Sequence, residues 1–316
     1  MRMLGNVMCV LAVACMIAGC GRKPAGQKPT VTVALVMKSQ ANPFFQTMEK
    51  GAAEEAKRLG VKLLPQYLPN EQDIEKQADV VRSMAAQKVD AILIAPVDGK
   101  ALVGPLLEAQ KQGVKIINID NPLDAETVKS QGLKVECYVG VDNVEGARMA
   151  AEYLIKLMGG KGNVAMLEGI RGVDNAEARK RGFLKACEAY KDGIKIVASE
   201  TAKWEREEAH TAMQTILQRD KDIQGLFCAN DMMALGAVEA IKQAGLEGKL
   251  FVTSYDNIAE AQAAIKEGRL HATIDQHPEL MGKFGVQYAA DLAAGKQIPT
   301  QKLVQLDLVT KQTLTK

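Results

Sequence analysis

The sequence predicts an α/β fold organised as two doubly wound lobes. After residue 30, apolar runs of strand length alternate with longer helical patterns, which is typical of βαβ units and parallel sheets. These strands are too many for one modest domain, so we divide them between two lobes. The predicted strands are 31–37, 62–65, 91–95, 115–119, 137–139, 163–167, 195–197, 225–228, 250–254, 271–274 and 303–308. The predicted helices are 45–59, 71–88, 100–112, 143–158, 176–190, 205–219, 231–244, 258–267 and 279–294.

Length and composition allow this organisation and argue against some partners. The chain has 316 residues, of which 47% are hydrophobic, so it can bury a sizeable core. Its 40 Lys and Arg residues nearly balance 38 Asp and Glu residues, and the formal net charge is +2. This balance argues against a nucleic-acid-binding surface.

The N-terminal residues predict export. A weakly basic start, an apolar run over 7–17 and small residues before Cys20 indicate a signal peptide over residues 1–19, too short for a transmembrane span. Residues 17–20 resemble a bacterial lipobox, in which the cysteine is lipidated and becomes the new N-terminus. Residues 20–29 then form a flexible, basic, lipid-anchored tether. The alternative is an ordinary signal peptide in which Cys20 is incidental.

Cysteine spacing indicates neither a metal site nor a disulfide. No CxxC or Cys/His spacing predicts zinc, and we expect no cofactor. The folded part contains an odd number of cysteines, two of them in apolar runs, and we predict free thiols there. The export segment contains Cys9, Cys15 and Cys20, and the folded part contains Cys137, Cys187 and Cys228.

The first predicted strand leads into a group of polar and aromatic residues. Lys38 ends the apolar run, and Asn42, Pro43, Phe44 and Phe45 follow it. Pro43 disfavours a helical conformation at Asn42 and is tolerated in a first helical turn, so the next helix should open at the two phenylalanines. This places a cation, an amide and two aromatic faces close together. The alternative puts Phe44 and Phe45 in the core and Lys38 on a solvated strand end.

Polar side chains follow four other predicted strands. Asp120 and Asn121 follow one strand, and Asn230, Asp256 and Gln276 each follow another. If the sheets are parallel, these groups converge on the crevice between the lobes. Each Asp or Asn taken alone is also explained as a helix N-cap, but together they favour a binding site.

The loop after the strand at 163–167 offers a further pair. Gly169 and Gly172 fit neither GxGxxG nor GxxxxGK[ST], so we reject a nucleotide site. We expect Asn175 to cap the following helix and Arg179, one turn later, to point toward the crevice. The alternative for Arg179 is a surface ion pair with Glu177 or a neighbouring acidic residue.

These residue types together suit a neutral, polyhydroxylated ligand. Sugar hydroxyl groups both donate and accept hydrogen bonds, so amide, carboxylate and guanidinium groups each engage them. Aromatic rings stack on the C–H faces of the sugar ring. Trp204 lies in a polar loop and is either such a platform or a lid over the core.

With these residues assembled, the chain resembles the bacterial type I periplasmic sugar-binding proteins, the ribose-, allose- and galactose-binding receptors of ABC transporters. The resemblance extends from about Val31 to the C-terminus, with motif order and spacing kept. The motifs that carry it are ANPFF (41–45), IAP (94–96), NID (118–120), GVDN (140–143), AEAR (176–179), CANDMMALG (228–236) and ATIDQ (272–276).

The resemblance implies a set of ligand contacts and a preference. Lys38 and Trp204 are similar to allose receptors, whereas ribose receptors have a serine at the position of Lys38. Asn121, at a position that reads hydroxyl stereochemistry, replaces an arginine of ribose receptors and a glutamate of allose receptors, and Ala95 replaces a ribose-contacting asparagine. A hexose or related polyol is therefore expected over ribose. The implied contacts are Lys38, Asn42, Phe44, Phe45, Asp120, Asn121, Asn175, Arg179, Trp204, Asn230, Asp256 and Gln276.

The resemblance also implies the architecture and the mechanism. Two Rossmann-like lobes are joined by three crossings near Val141, Gln276 and Gln305. The N-terminal lobe then comprises 30–141 plus 277–305, and the C-terminal lobe 142–276 plus 306–316. Hinge rotation closes a monomeric receptor on a monosaccharide and presents it to a membrane permease. The protein is expected to be exported, periplasmic or at the cell surface, and anchored to the membrane through Cys20.

Three other functions are weighed. A chemosensory or quorum-signal receptor on the same fold would contact a sensor kinase. A secreted glycosidase would use Asp120 and Asp256 as paired carboxylates, but the cations and amides expected around them favour two ionised acceptors. No HExxH or GxSxG motif is present either. A repressor would need a helix-turn-helix before Val31, where the export segment lies.

Overall fold

The computed structural model describes residues 30–315. The predicted signal peptide (1–19), and the tether (20–29) with Cys20, lie outside the described residues. The strands are β1 (Thr32–Ser39), β2 (Lys62–Leu68), β3 (Ala91–Ile94), β4 (Lys115–Ile119), β5 (Cys137–Gly140), β6 (Gly162–Glu168), β7 (Ile194–Thr201), β8 (Ile223–Cys228), β9 (Phe251–Thr253), β10 (Ala272–Asp275), β11 (Gln301–Leu303) and β12 (Asp307–Thr310).

Helices lie between nearly all of these strands. They are α1 (Pro43–Leu59), α2 (Ile74–Ala86), α3 (Val103–Lys111), α4 (Ala125–Gln131), α5 (Asn143–Leu157), α6 (Asp174–Ala189), α7 (Arg206–Arg219), α8 (Asp231–Gln243), α9 (Ala259–Glu267), α10 (Pro278–Ala293) and α11 (Lys311–Leu314). Within residues 30–315, no helix combines the length and the apolar character needed to cross a membrane.

The strands of the described chain form two six-stranded sheets, which confirms the predicted fold class of two α/β lobes. The first sheet has the order β11-β5-β4-β3-β1-β2 and is parallel throughout. The second has the order β12-β10-β9-β8-β6-β7, in which β12 alone runs antiparallel to its neighbour. In each sheet the chain order reverses beside the first strand, which is the switch point where ligands of open α/β sheets bind.

Strand β1 shows why these runs are apolar along their whole length. Val33 and Leu35 belong to the core under α1 and α10, whereas Ala34 and Val36 belong to the core under α2 and α3. A parallel strand covered on both faces must be hydrophobic at every position. This burial fixes β1, and with it the position of the residues that follow.

The chain passes between the sheets in three places. The connections lie between β5 and α5, between β10 and α10, and between β11 and β12. Helix α10 packs against α1, and β11 joins the first sheet. The lobe limits at residues 141, 276 and 305 stay a prediction, and they fall within these connections.

Three local predictions were wrong. The strand predicted over 303–308 consists of β11 and β12, which belong to different sheets. No helix was predicted between residues 112 and 143, where the polar stretch after Asp124 forms helix α4. Strand β2 continues past Pro65 to Leu68 and forms an edge of the first sheet, where a missing N–H is tolerated.

Candidate functional site

The polar strand ends meet at one small cavity between the two sheets. Every predicted site residue except Asn121 lines it, and Glu71 lines it without having been predicted. The lining residues are Lys38, Asn42, Phe44, Phe45, Glu71, Asp120, Asn175, Arg179, Trp204, Asn230, Asp256 and Gln276.

Lys38 and Asp120 form a buried ion pair on the side of the first sheet. Lys38 is the last residue but one of β1 and Asp120 directly follows β4, and their Nζ and Oδ2 atoms are 3.3 Å apart. Only 5% and 4% of the two side chains are exposed. The alternative of a solvated strand end for Lys38 is therefore wrong. Tyr138 also donates a hydrogen bond to the Asp120 backbone oxygen, which helps to fix the backbone that carries the carboxylate.

The residues of the first helical turn both cap the helix and form a wall. Asn42 is the N-cap of α1, and its Oδ1 accepts from the Phe44 N–H at 3.1 Å. Phe44 and Phe45 pack edge to face with ring centroids 5.1 Å apart. Both rings belong to the core of the first sheet and also line the cavity, so the two interpretations weighed for them hold together.

Arg179 organises the side of the second sheet. Its Nε donates to Asn143 Oδ1 at 2.8 Å, and its Nη1 donates to the Ala229 backbone oxygen at 2.7 Å and lies 3.5 Å from Asp256 Oδ1. Its guanidinium also lies 3.8 Å from the ring centroid of Tyr255. The alternative surface pair with Glu177 is not formed, since Glu177 accepts from the Gly172 N–H instead.

Asn175 does not cap its helix, contrary to the prediction. The N-cap of α6 is Val173, and Asn175 lies inside the first turn. Its Nδ2 donates to Asp120 Oδ1 at 3.1 Å, and its Oδ1 accepts from Asn143. Asn175 therefore links the Asp120 carboxylate of the first sheet to the Arg179 network of the second.

Asp256 and Gln276 complete that side. Gln276 Nε2 donates to Asp256 Oδ1 at 2.7 Å, while Gln276 Oε1 is buried with no partner among the described residues. A buried, unpaired amide oxygen favours a ligand that brings its own donor. Burial raises the pKa of Asp256, and the Arg179 guanidinium opposes that shift.

Trp204 and Asn230 close the cavity from the second sheet. Trp204 has a left-handed backbone, with φ of 70°, and its indole is buried in the core while one face lines the cavity. It packs on Gly169, where an added Cβ would lie 2.1 Å from the indole Cζ2 atom. Asn230 caps α8 through Met233 N–H, and its Nδ2 donates to the Trp204 backbone oxygen at 3.4 Å.

Asn121 lies behind the cavity. It is fully buried, its Nδ2 donates to the Pro96 backbone oxygen, and its Oδ1 accepts from the Asn175 N–H, both at 3.1 Å. Both ends of the amide are engaged by protein. Asn121 therefore connects the two sheets and contributes no lining surface.

Glu71 was missed by the sequence analysis. It lies between β2 and α2, is 6% exposed, and accepts a hydrogen bond from Asn42 Nδ2 through Oε1 at 3.0 Å. Because the predicted strand stopped at Pro65, the polar residues that follow Leu68 were not recognised as a strand end.

No group of acidic, cysteine or histidine side chains in residues 30–315 is arranged to hold a metal ion. Cys137, Cys187 and Cys228 are buried free thiols. The chemistry of the cavity is thus that of hydrogen bonding, charge pairing and aromatic contact.

Known proteins resemble the chain along nearly its whole folded length. The D-ribose/D-allose-binding protein of Pseudomonas aeruginosa is 39% identical over 274 residues, 85% of this chain and 84% of that protein. The D-allose-binding periplasmic protein of Escherichia coli is 36% identical over 286 residues, 89% of this chain and 91% of that protein.

A solved structure is similar to the chain in fold as well as in sequence. An ABC transporter periplasmic solute binding protein from Actinobacillus succinogenes, with bound D-allose, is 42% identical with a TM-score of 0.87. The match covers 90% of this chain and 99% of that chain. Residues 33–297 match the family described as "Periplasmic binding protein domain". This is a family of solute-binding receptors, which removes the glycosidase alternative and confirms the resemblance: the chain belongs to the periplasmic binding proteins.

Proposed function

We propose that this protein is an extracytoplasmic receptor that binds one monosaccharide and delivers it to an ABC transporter. The observation that carries the proposal is the small cavity in which two acid–base pairs, Lys38 with Asp120 and Arg179 with Asp256, stand among amides and aromatic faces. Paired charges give directional donors and acceptors without a net field, which suits a neutral polyhydroxylated ligand.

A hexose or related polyol is the proposed ligand, in preference to ribose. Lys38 and Trp204, the residues similar to allose receptors, both line the cavity. Two relatives carry allose in their names, one of them together with ribose, and the similar structure has D-allose bound. That structure is of an ABC transporter protein, which supports a permease as the partner.

Hinge closure is the proposed mechanism, with the three connections between the sheets as the hinge. Its support is that Asp120, at the cavity wall, and Asn121, behind the cavity, both form hydrogen bonds to Asn175 of the second side, so the two sides are joined directly. A ligand that contacts both sides would favour this arrangement over an open one. We also propose that the receptor is a monomer tethered by lipid at Cys20.

Calorimetric titration with pentoses, hexoses, polyols and inositols tests the function. We expect at least one hexose or polyol to bind at micromolar Kd, about −8 kcal/mol, and ribose to bind less tightly. No binding by any carbohydrate contradicts the function, and tighter binding of ribose contradicts the preference. Small-angle scattering with and without the bound sugar tests closure, since closure reduces the radius of gyration.

The anchor is tested separately with the full-length chain. The protein with its native N-terminus should partition with membranes, and Cys20→Ser should release it. Equal partitioning of the two forms contradicts lipidation at Cys20.

A further inference from the structure

Glu71 is a third carboxyl group in a cavity with two cations. Each cation already has an acidic neighbour, Lys38 at 3.3 Å from Asp120 and Arg179 at 3.5 Å from Asp256. Glu71 forms no ion pair with any cation of residues 30–315, although it is 94% buried, given its exposure of 6%. The resemblance to sugar receptors assigned it no role.

Only one of its two carboxyl oxygens is engaged. Oε1 accepts from Asn42 Nδ2 at 3.0 Å, and Oε2 has no hydrogen-bond donor within the described part of the chain. Since Asn42 is itself fixed by capping α1, the carboxyl is oriented and its second oxygen remains available at the cavity wall. The unpaired oxygen is therefore placed to form a hydrogen bond with a ligand in the cavity.

Three charged groups from different elements face Glu71. Lys38 comes from β1 and Asp120 follows β4, both in the first sheet. Glu205 immediately precedes α7, which connects β7 and β8 of the second sheet. Burial raises the pKa of Glu71 above its usual range; Lys38 and the Asn42 hydrogen bond oppose the shift, and the negative charges of Asp120 and Glu205 add to it. Burial also raises the pKa of Glu205.

We propose that Glu71 is a specificity-determining residue that holds one hydroxyl group of the ligand as an uncharged carboxylic acid, and that it takes up a proton when the receptor closes on its ligand. The inference rests on the proposed sugar-binding function and deepens it. In the open cleft, water solvates Glu71 and it is ionised near neutral pH. Closure removes that water and brings Glu205 toward it from the other side.

The proton balance of this step is simple. One proton leaves the buffer and binds Glu71 Oε2, and no covalent bond of the sugar changes. The O–H then donates to a sugar hydroxyl oxygen, while Oε1 keeps its bond from Asn42. A sugar that lacks this hydroxyl loses the contact, and an amino sugar would instead select the ionised carboxylate.

Calorimetric titration in buffers of different ionisation enthalpy, between about pH 5 and pH 8, tests the proposal. Wild-type protein should take up as much as about one proton per sugar, and affinity should fall as the pH rises, because the protonated form is the one that binds. Glu71→Gln copies the shape and donor of the neutral acid. It should bind within about twofold of wild type at the acidic end and show no linked proton uptake.

Two further variants make the result specific. Glu71→Ala should bind the preferred sugar at least about tenfold more weakly, yet bind its deoxy analogue as wild type does. Glu75→Gln, which removes the same charge from an exposed neighbour at the start of α2, should retain wild-type affinity and proton uptake. Thermal unfolding of each variant without sugar establishes that it is folded.

The outcomes separate this proposal from the function it rests on. Loss of affinity in Glu71→Gln as large as in Glu71→Ala, unchanged proton uptake in Glu71→Gln, or preference for an amino sugar overturns the role of Glu71 and leaves the sugar receptor intact. Failure of wild-type protein to bind any carbohydrate overturns both.

Discussion

Asn121 Oδ1 accepts a hydrogen bond from the backbone N–H of Asn175 at 3.1 Å, so the second residue after β4 of the first sheet is tied to the first turn of α6, which packs on the second sheet. The contact joins the two sides of the cavity and lies outside its lining. This hydrogen bond forms only when the two sides of the cavity are held together, and neither of its atoms contacts the ligand.

Asn121→Ala should therefore weaken binding of every sugar by a similar factor. Loss of one neutral hydrogen bond costs about 1 kcal/mol, which corresponds to roughly fivefold in Kd. Titration of the variant with a panel of hexoses and pentoses checks this. A changed order of sugar preference would instead support the stereochemical role that the resemblance implied for Asn121.

Asp120→Asn should weaken sugar binding at least about 100-fold. The substitution keeps a side chain that tolerates the left-handed backbone of Asp120, with φ of 60°, but leaves the Lys38 ammonium buried without its partner. Breaking a buried pair costs about 3–5 kcal/mol. Titration of the variant gives the loss.

The matched control is Asp79→Asn, whose pair with Arg82 is solvent-exposed. We expect this control to bind as wild type does. If Asp120→Asn loses no more sugar affinity than Asp79→Asn, the Lys38–Asp120 ion pair does not contribute to binding.

Gly169→Ala should displace the indole of Trp204. A Cβ at residue 169 would lie 2.1 Å from the indole ring, so the ring must shift into the cavity. We expect sugar affinity to fall at least about tenfold, as a misfit methyl group in a packed site costs roughly 1–3 kcal/mol. Fluorescence reports the shift directly, because Trp204 is the only tryptophan of the chain.

Gly104→Ala in α3 is the control, since a Cβ there meets open space. It should leave both affinity and fluorescence unchanged. Unaltered fluorescence in Gly169→Ala would contradict the prediction, because it would show that the Trp204 indole accommodates the added methyl group without moving.

His277 should make the stability of the fold depend on pH. It lies between β10 and α10 with Nε2 2.9 Å from Asp307 Oδ2, and Asp275 and Glu279 lie on the side of Nδ1. Burial lowers its pKa, but the hydrogen bond to Asp307 and the neighbouring carboxylates outweigh it, so the pKa is raised. The resulting stabilisation is complete below the unfolded pKa of about 6.5 and is lost as the pH rises through the folded value.

Denaturant unfolding at about pH 6 and pH 8 measures this effect. Between about pH 6 and pH 8, the free energy of unfolding should fall more in wild type than in His277→Asn. The difference should be at most about 1 kcal/mol, because water screens the partly exposed pair of His277 and Asp307. Asparagine suits the left-handed backbone of His277, with φ of 50°. His210→Asn, whose imidazole contacts Gln243, is the control and should retain the wild-type dependence. Equal pH dependence in wild type and His277→Asn would contradict the effect.

The sequence analysis located residues that line the cavity where a side chain follows an apolar strand. Lys38, Asp120 and Asp256 were located because buried parallel strands are recognisable from apolar runs and end at one edge of the sheet. Helix α4 was missed for the opposite reason. None of its residues is buried, so it has no apolar periodicity to recognise, although Asp124 caps it.

Glu71 and Asn121 show two further limits. Glu71 was missed because Pro65 was treated as the end of a strand that an edge position allows to continue. Asn121 was included because it follows Asp120 at the end of the same strand and because the resemblance implied a contact there, but consecutive residues in a turn point in different directions. Which of two adjacent polar side chains faces a ligand depends on backbone angles that composition and periodicity do not specify.

Pro65 has a consequence for the outer edge of β2. Lys62 N–H donates to the backbone oxygen of Val31, just before β1, at 2.8 Å. Since the backbone groups of successive residues in a strand point to opposite edges, position 65 faces outward. The outward edge therefore lacks a donor near its centre, where another chain would have to pair. An exported receptor is exposed to many other chains, and this proline protects it against edge-to-edge aggregation at the one side of the first sheet that ends in a long strand.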